Sequence, residues 1–282
     1  MSNIKIKTLE EVSLDELLNT FNEAFSDYLV PLQLTQDQLK GKIISDKINF
    51  TCSSGAFLDN QLIGFILHGM DIIDNKHVVY NAGTGVIPSE RSKGITARMH
   101  DFVVQTLKKK NIDYLILEVI SKNIRAIKAY EKVGYKIERK LMCYRGEIKT
   151  LCNNEINIRN MSEYDWEKMT SFWEIYPSWQ NSSRVLNELK TSNKSYGAYI
   201  DNQLAGYIVY NPISNRIQQF AVDKNHRRRK IASTLFNHIS MAYDKTLTII
   251  NVDDRSSTIS AFLKNIGLKK FVEQIEMKLE MK

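Results

Sequence analysis

The chain has few cysteines and no long apolar run, and both absences restrict what it can be. Only three of its 282 residues are cysteines, namely Cys52, Cys143 and Cys152. They form neither an even set for disulfides nor a metal-binding motif, so we expect free thiols in a reducing compartment and no metal. No apolar run approaches the roughly 20 residues that cross a bilayer, and the first residues, MSNIKIKTLEE, contain no apolar signal core. These absences predict a cytoplasmic protein without membrane contact.

A strongly basic domain or tail is also missing. The net charge of +7 is spread evenly, with 21 basic and 18 acidic residues in 1–150 and 18 basic and 14 acidic residues in 151–282. This distribution disfavours nucleic acid as a partner and suits a protein that attracts an anionic cofactor. A duplex binder that uses Lys108–Lys110 and the run 226–230 is retained as a minor alternative, with salt-dependent binding as its signature.

The common phosphate-binding motifs are absent, yet one stretch has the physical properties of an anion site. Gly83 and Gly85 lack the third glycine of a dinucleotide turn, and no Gly-Lys-Ser/Thr follows. Instead VIPSERSKG (86–94) joins an apolar run to a segment with helical periodicity. Such a turn aims backbone N–H groups and the cations of Arg91 and Lys93 at one spot, where a pyrophosphate would fit. The alternative is a plain strand-to-helix connection with solvated charges.

This stretch resembles the acetyl-CoA loop of the GNAT superfamily of N-acetyltransferases, which reads Val-x-Pro-x-x-Arg-x-x-Gly-Ile-Gly/Ala. Val86, Pro88, Arg91, Gly94 and Ile95 match, while Thr96 departs at the last position and still offers its backbone N–H. The resemblance implies acetyl-CoA as the cofactor. The residues that would contact it are Thr84, Gly85, Val86, Arg91, Ser92, Lys93, Gly94, Ile95, Thr96 and Asn123.

A second segment, NIRAIKAYEKVGY, resembles the family pattern Asn-x-x-Ala-x-x-x-Tyr-x-x-x-Gly-Phe/Tyr. Acetyl transfer from a thioester to an amine needs a base for the amine, a donor for the oxyanion and a proton for the departing thiolate. The resemblance implies Tyr130 as the acid and Asn123 as a contact to the pantetheine. Glu118 has the spacing of the base in the branch that acetylates protein N-termini on the ribosome. Alternatively, Tyr130 is an ordinary core aromatic and Glu118 pairs with a neighbouring cation.

The periodicities predict the element order β-α-α-β-β-β-α-β-α-β for the first half of the chain. A capping box at Ser13 and Glu16 begins the first helix, and Asp59–Asn60 forms the turn of a hairpin. IDYLILEVI has the composition of a fully buried strand. Early antiparallel strands followed by a β-α-β crossover are what the GNAT fold implies. The expected fold class is therefore mixed α/β (α+β), with a mostly antiparallel twisted sheet flanked by helices.

The same order of elements then recurs, which indicates duplication. DNQLIGFI (59–66) returns as DNQLAGYI (201–208), Arg91 precedes Arg227 by 136 residues, and Gly134 precedes Gly267 by 133. A repeat of this period predicts two tandem GNAT-like domains, 1–150 and 151–282.

The second copy lacks the residues that the chemistry requires. Lys230 replaces the loop glycine, so we expect its side chain to hinder a phosphate and its left-handed conformation to be costly. Leu263 and Asn251 stand at the positions of Tyr130 and Glu118. The first domain is therefore predicted to be catalytic and the second non-catalytic, although the cations at 227–230 leave weak anion binding open.

Together these patterns predict an acetyl-CoA-dependent N-acetyltransferase in which a primary amine attacks the thioester directly. The acceptor, a small molecule or a peptide, is expected near Phe25, Tyr28 and Pro31, which could equally be core residues. A homo-oligomer is compatible with the sequence. The alternative function is a non-catalytic CoA- or ligand-binding module, and the absence of thiol release across a panel of amines would distinguish it.

Overall fold

A computed structural model of the chain describes residues 4–28, 32–149 and 155–281, so Pro31 and Cys152 lie outside the described residues. The strands in these ranges are β1 (Lys5–Thr8), β2 (Ser54–Leu58), β3 (Gln61–Ile73), β4 (Lys76–Val86), β5 (Tyr114–Ile120), β6 (Lys136–Glu147), β7 (Asn157–Asn160), β8 (Lys194–Ile200), β9 (Gln203–Asn211), β10 (Arg216–Val222), β11 (Thr246–Asp253) and β12 (Lys269–Glu280). The helices in these ranges are α1 (Leu14–Ala24), α2 (Gln36–Ser45), α3 (Ile95–Lys108), α4 (Ile124–Lys132), α5 (Trp166–Ser171), α6 (Ser183–Glu188), α7 (Ile231–Ala242) and α8 (Ser257–Asn265).

The chain forms two compact units that are discontinuous in sequence. Unit 1 comprises Met1–Glu138 and Glu276–Lys282, and unit 2 comprises Arg139–Ile275. Within unit 2, β6 pairs with β11 from Leu141 to Glu147. Within unit 1, the Met281 N–H donates to the Asp113 carbonyl. The expected division near residue 150 treats each repeat as contiguous, whereas β6 and β12 are each divided between the two units.

Unit 1 contains a mixed sheet in the order β1-β2-β3-β4-β5-β12. Neighbours from β1 to β4 are antiparallel, and β4 and β5 are parallel. The parallel pairing joins Val78–Asn81 to Tyr114–Leu117. Beyond Asn81, β4 continues to Val86 along β3 alone. β4 and β5 therefore diverge at their carboxyl ends, which is where open α/β sheets form binding crevices.

Local signals explain how several elements of unit 1 begin and turn. Asp59 and Asn60 adopt φ values of 49° and 67°, as a tight hairpin turn requires. The Ser13 hydroxyl caps α1 by accepting from the Glu16 N–H. The Glu16 carboxylate, expected to complete that capping box, instead accepts from the Leu62 N–H at 3.0 Å. It therefore ties the start of α1 to β3.

Unit 2 repeats this architecture in the order β12-β6-β11-β10-β9-β8-β7. Its parallel pair is short, joining Arg216 and Ile217 of β10 to Thr248 and Ile249 of β11. Its hairpin turn again has two left-handed residues, Asp201 and Asn202. The mixed, mostly antiparallel α/β fold is thus confirmed, although β12 was not predicted from the sequence.

Candidate functional site

The turn between β4 and α3 presents a row of backbone donors. Gly94, the N-cap of α3, has φ 74°, and Ser92 is also left-handed at 64°. The first helical bond runs from the Arg98 N–H to the Gly94 carbonyl at 3.2 Å. In the described parts of the chain, the N–H groups of residues 92–97 donate no hydrogen bond. Because they lie at the positive end of the helix dipole, they form a site suited to an anion.

Arg91 ties this turn to the end of α1. Its guanidinium donates to the Val86 carbonyl at 3.1 Å and to the Ala24 carbonyl at 2.8 Å. It also makes a bidentate pair with Asp27, at 2.7 and 2.8 Å. The hydrogen bonds from Arg91 lower the pKa of the Asp27 carboxyl. Lys93 likewise pairs with Glu90 at 3.0 Å, so both side-chain cations that were expected to converge on an anion are matched by carboxylates.

Tyr130 lies where β4 and β5 diverge, close to side chains of β4 and to Tyr28. Burial raises the pKa of the Tyr130 hydroxyl, while hydrogen bonding to Thr84 and Asn81 acts in the opposite direction. The Asn81 amide donates to the Thr84 hydroxyl at 2.9 Å. Burial also raises the pKa of Tyr28, against a hydrogen bond to Asn123. The structure thus groups four sequence-predicted residues with Asn81, which the sequence analysis missed.

Asn123 belongs to this group through its hydrogen bond with Tyr28, and it also caps a helix. It is the N-cap of α4, and its side-chain oxygen accepts from the Ala126 N–H at 3.2 Å. The carbonyl end of the side chain is therefore committed to starting the helix that carries Tyr130.

Glu118 on β5 accepts a hydrogen bond from a phenol of the neighbouring strand β4. The Tyr80 hydroxyl donates to its carboxylate at 2.5 Å. Burial, followed by the charge of Glu118, raises the pKa of Tyr80 well above its usual value. Asp46 and Glu276 act on Tyr80 in the same direction. Tyr80 was missed by the sequence analysis, although the expected neighbourhood of β4 and β5 could have suggested it.

Phe25 and Tyr28, predicted to line the acceptor pocket, lie at the edge of an aromatic cluster. Phe25 packs against Phe21 with ring centroids 4.7 Å apart and against Tyr28 at 5.1 Å. Phe21 and Phe65 are stacked and fully buried. A Cβ on Gly85 would come within 2.8 Å of Phe65, so this glycine allows the cluster to pack under β4. Phe25 therefore extends the core, whereas Tyr28 reaches the group around Tyr130.

The second copy retains the turn but not the side chains of Tyr130 and Glu118. Lys230 is the N-cap of α7 with φ 63°, and Arg228 has φ 64°. The left-handed conformation that we expected to be costly for lysine is thus kept. Leu263 is fully buried, and the Asn251 side-chain oxygen accepts from the Gln274 amide at 3.0 Å. Unlike a tyrosine or a glutamate, neither of these side chains can donate or accept a proton near neutral pH.

Among the described residues, no three or more His, Cys, Asp or Glu side chains are grouped so that they could hold a metal ion. The described residues also contain no helix that is long and apolar enough to span a membrane.

The chain was compared with known protein families and proteins, and one family matches most of it. The family model described as Acetyltransferase (GNAT) family matches residues 12–135 and 158–253. No curated protein sequence matches the chain.

Three similar solved structures illustrate the fold. One is described as a putative acetyltransferase from Pyrococcus horikoshii, with TM-score 0.73, 14% identity and coverage of 100% of this chain and 91% of its own. Another is described as a tandem GNAT protein from the clavulanic acid biosynthesis pathway, with TM-score 0.73, 12% identity and 99% of each chain covered. A third is a GCN5-related N-acetyltransferase from Sphaerobacter thermophilus, with TM-score 0.74, 10% identity and coverage of 99% and 96%. The chain therefore belongs to the GNAT acetyltransferase family and carries its fold twice.

Proposed function

We propose that unit 1 transfers the acetyl group of acetyl-CoA to a primary amine by direct attack. Membership of the family supports acetyl transfer in general. The observation that carries the finer assignment is the row of N–H groups at residues 92–97, which opens beside the divergence of β4 and β5 where Tyr130 lies.

The residues of unit 1 fit a CoA group in two respects. The unpaired N–H groups before and within the first turn of α3 suit a diphosphate, which carries negative charge and accepts hydrogen bonds. Thr84, Gly85 and Val86 pair with β3 on one side and have no β5 partner in the described register, so their other edge can pair with amides of the pantetheine. When bound, acetyl-CoA supplies an activated thioester.

Tyr130 and Glu118 would each carry out one of the two proton transfers of the reaction. Burial raises the pKa of Tyr130, which therefore keeps its proton at neutral pH and can donate it toward the departing sulfur. Glu118 would accept a proton from the amine, directly or through water. The hydroxyl of Tyr80 holds that carboxylate in place at 2.5 Å. Arg91 contributes through position, because its bonds to Ala24, Asp27 and Val86 fix the loop that presents the N–H groups.

The charge near Glu118 favours a cationic acceptor. Glu118, Asp46 and Glu276 all raise the pKa of Tyr80 through their negative charge. Lys42 pairs with Asp46 at 2.6 Å, so the negative potential at Tyr80 is assigned mainly to Glu118 and Glu276. A primary amine is protonated before it reacts, and such a potential attracts it. We therefore favour a small-molecule or peptide amine that approaches past Phe25 and Tyr28.

The direct test is the release of CoA thiol from acetyl-CoA by the full chain across a panel of amines. The panel should include a polyamine, an aminoglycoside, amino acids and short peptides with free N-termini. We expect thiol release that depends on one class of amine, together with acetylation of that amine by mass spectrometry. Binding of acetyl-CoA without thiol release for any amine would instead favour the non-catalytic binding module.

A further inference from the structure

Within the described residues, one face of α4 carries three cations that pair with no carboxylate. Arg125, Lys128 and Lys132 are exposed, and none of them has an ion-pair partner there. Spacings of three and four residues place them on one face of the helix. They extend over about 10 Å of the helix axis, at a rise of about 1.5 Å per residue. We call these three residues the basic stripe.

The charges next to the basic stripe are also mostly positive. Lys122 precedes the N-cap of α4 and Lys136 begins β6, and both side chains are exposed. Glu131 is the one acidic residue of α4, so three cations against one carboxylate give the helix a net charge of +2. An unneutralised row of cations produces a local positive potential that attracts a polyanion.

The second copy lacks the basic stripe. By the spacing that aligns Leu263 with Tyr130, the equivalent positions on α8 are Thr258, Ala261 and Asn265. The two halves of the sequence have similar net charges, so a general need for solubility does not account for the difference. The stripe is therefore a property of the copy that holds Tyr130 and not of the fold.

The basic stripe begins at the proposed cofactor site. The Arg125 guanidinium donates to the Ser92 hydroxyl at 3.2 Å, so the first residue of the stripe contacts the turn with the unpaired N–H groups. Arg91 and Lys93 in that turn are both neutralised by carboxylates. Of the cations on this turn and on α4, those without a carboxylate partner therefore belong to α4.

A bound CoA does not account for the whole basic stripe. Beyond its diphosphate, CoA has one phosphate, which cannot neutralise three cations spread over about 10 Å of helix. The matching partner is a surface with several negative charges in a row. An acidic protein helix provides one, because carboxylates three and four residues apart share a face. A row that is one residue wide also fits one helix better than the two phosphate backbones of a duplex.

We propose that the basic stripe docks an acidic carrier protein that presents an acetyl thioester on a phosphopantetheine arm. The inference rests on the proposed function, because the thioester uses the same site. CoA and such a carrier share the phosphopantetheine. The free edge of residues 84–86 and the N–H groups of residues 92–97 therefore suit the arm of either donor, while the acidic helix of the carrier lies along α4.

The transfer is the same reaction with a different leaving group. The amine nitrogen attacks the thioester carbonyl, so an N–C bond forms and the C–S bond breaks. Glu118 accepts the proton that the amine loses, and Tyr130 donates a proton to the sulfur. The sulfur remains on the carrier as a free thiol, and no further reactant is needed.

The test uses two donors with the full chain, acetyl-CoA and an acidic acyl carrier protein loaded with acetyl-phosphopantetheine. The stripe variant Lys128→Glu/Lys132→Glu reverses two exposed charges and leaves Arg125 at the cofactor turn unchanged. The matched control Lys5→Glu/Lys40→Glu reverses two exposed charges on β1 and α2 of the same unit. Calorimetry at low salt measures binding of the carrier, and steady-state assays with the amine measure transfer from each donor.

The loaded carrier should bind the unchanged protein, and the stripe variant should weaken this binding by about tenfold or more, because two attractive charge contacts become repulsive. The kcat/KM for the acetyl group on the carrier should fall by a similar factor. The kcat/KM for acetyl-CoA should change by less than about twofold, since the substituted lysines lie away from the turn. The control variant should match the unchanged protein with both donors.

Failure of the carrier to bind, or equal binding by the stripe variant and the unchanged protein, would overturn the proposal. So would an equal loss with acetyl-CoA, which would assign the stripe to free CoA. Duplex RNA and vesicles of anionic lipid are titrated in parallel. Stripe-dependent binding of either one, without binding of the carrier, would assign the stripe to that partner instead.

The two proposals fail in different ways. Thiol release from acetyl-CoA that persists while the carrier does not bind would contradict this inference alone. Stripe-dependent binding of the carrier, without transfer from either donor to any amine, would contradict the proposed function and leave the docking surface.

Discussion

The turns that begin α3 and α7 follow the same backbone course with different side chains. Their left-handed positions are occupied by Ser92 and Gly94 in one copy and by Arg228 and Lys230 in the other. Each is anchored by an arginine that pairs with a carboxylate, Arg91 with Asp27 and Arg227 with Glu174. The comparison teaches that a strand divergence, a helix start and one buttressing ion pair can be kept while the side chains beside them change, since Leu263 and Asn251 stand in unit 2 where unit 1 has Tyr130 and Glu118.

The largest difference between the copies is expected in their contribution to the rate of acetyl transfer. Tyr130→Phe removes the proposed proton donor, so kcat for acetyl transfer should fall by about 100-fold while the KM for acetyl-CoA changes little. Tyr196→Phe, a matched change in unit 2, should leave both constants unaltered. Steady-state assays of thiol release measure the effect. An unchanged kcat in Tyr130→Phe would remove this residue from the mechanism.

The units should also differ in acid sensitivity. In unit 1, burial lowers the pKa of His68 to about 3 and also lowers the pKa of His100, whereas in unit 2 His238 is the histidine whose pKa burial lowers. Both histidines are neutral in folded unit 1 but take up protons near pH 6.5 when unfolded. The free energy of unfolding should therefore fall as the pH drops below about 6.5, approaching about 1.4 kcal/mol per pH unit for each proton.

Two optical probes can separate the units in this experiment. All three tryptophans, Trp166, Trp173 and Trp179, belong to unit 2, so their fluorescence reports that unit, whereas far-UV circular dichroism reports both. On acidification, loss of circular dichroism should precede the change in fluorescence, and His68→Gln should reduce the pH dependence. Coincident transitions that do not respond to His68→Gln would contradict this account.

A smaller effect is expected from the buttressing arginines. Arg91→Ala frees the loop from Ala24, Asp27 and Val86, so the KM for acetyl-CoA should rise by about tenfold through misplacement of the N–H groups. Asp27→Ala should act in the same direction. Arg227→Ala, the matched change in unit 2, should leave acetyl transfer intact. An unchanged KM in Arg91→Ala would show that the loop keeps its geometry without the hydrogen bonds of Arg91.

The smallest effect is expected on stability, from substitutions at the left-handed N-cap residues Gly94 and Lys230. Gly94→Lys introduces a side chain at φ 74° without a steric clash, so only the backbone preference should cost stability, about 1 kcal/mol. Lys230→Gly should stabilise unit 2 by less than that, because glycine also gives the unfolded chain more freedom. Urea unfolding measures both. A stabilising Gly94→Lys would show that the turn does not prefer glycine.

Patterns within short segments predicted much of this molecule. Pro88 and Gly94 indicated the turn, Asp59–Asn60 and Asp201–Asn202 indicated the hairpins, and the repeat indicated two copies of one fold. Each of these signals acts over a few residues, where turn chemistry and hydrophobic period decide the conformation.

The missed features depend on residues far apart in sequence. Three hydrogen bonds illustrate this. Asp27 and Arg91 are 64 residues apart in sequence, Glu16 and Leu62 are 46 apart, and Tyr80 and Glu118 are 38 apart. The division of β6 and β12 between the units also depends on which strands pair in the folded chain. A single sequence contains no local sign of such partnerships, because any of several carboxylates could satisfy one arginine.

The central claim is that unit 1, and not unit 2, performs acetyl transfer. The most direct measurement compares thiol release from acetyl-CoA by Thr96→Glu and Ala232→Glu, which place a carboxylate at equivalent positions in the first turns of α3 and α7. The account predicts that Thr96→Glu loses transfer while Ala232→Glu retains it. Loss in Ala232→Glu with full activity in Thr96→Glu would contradict it.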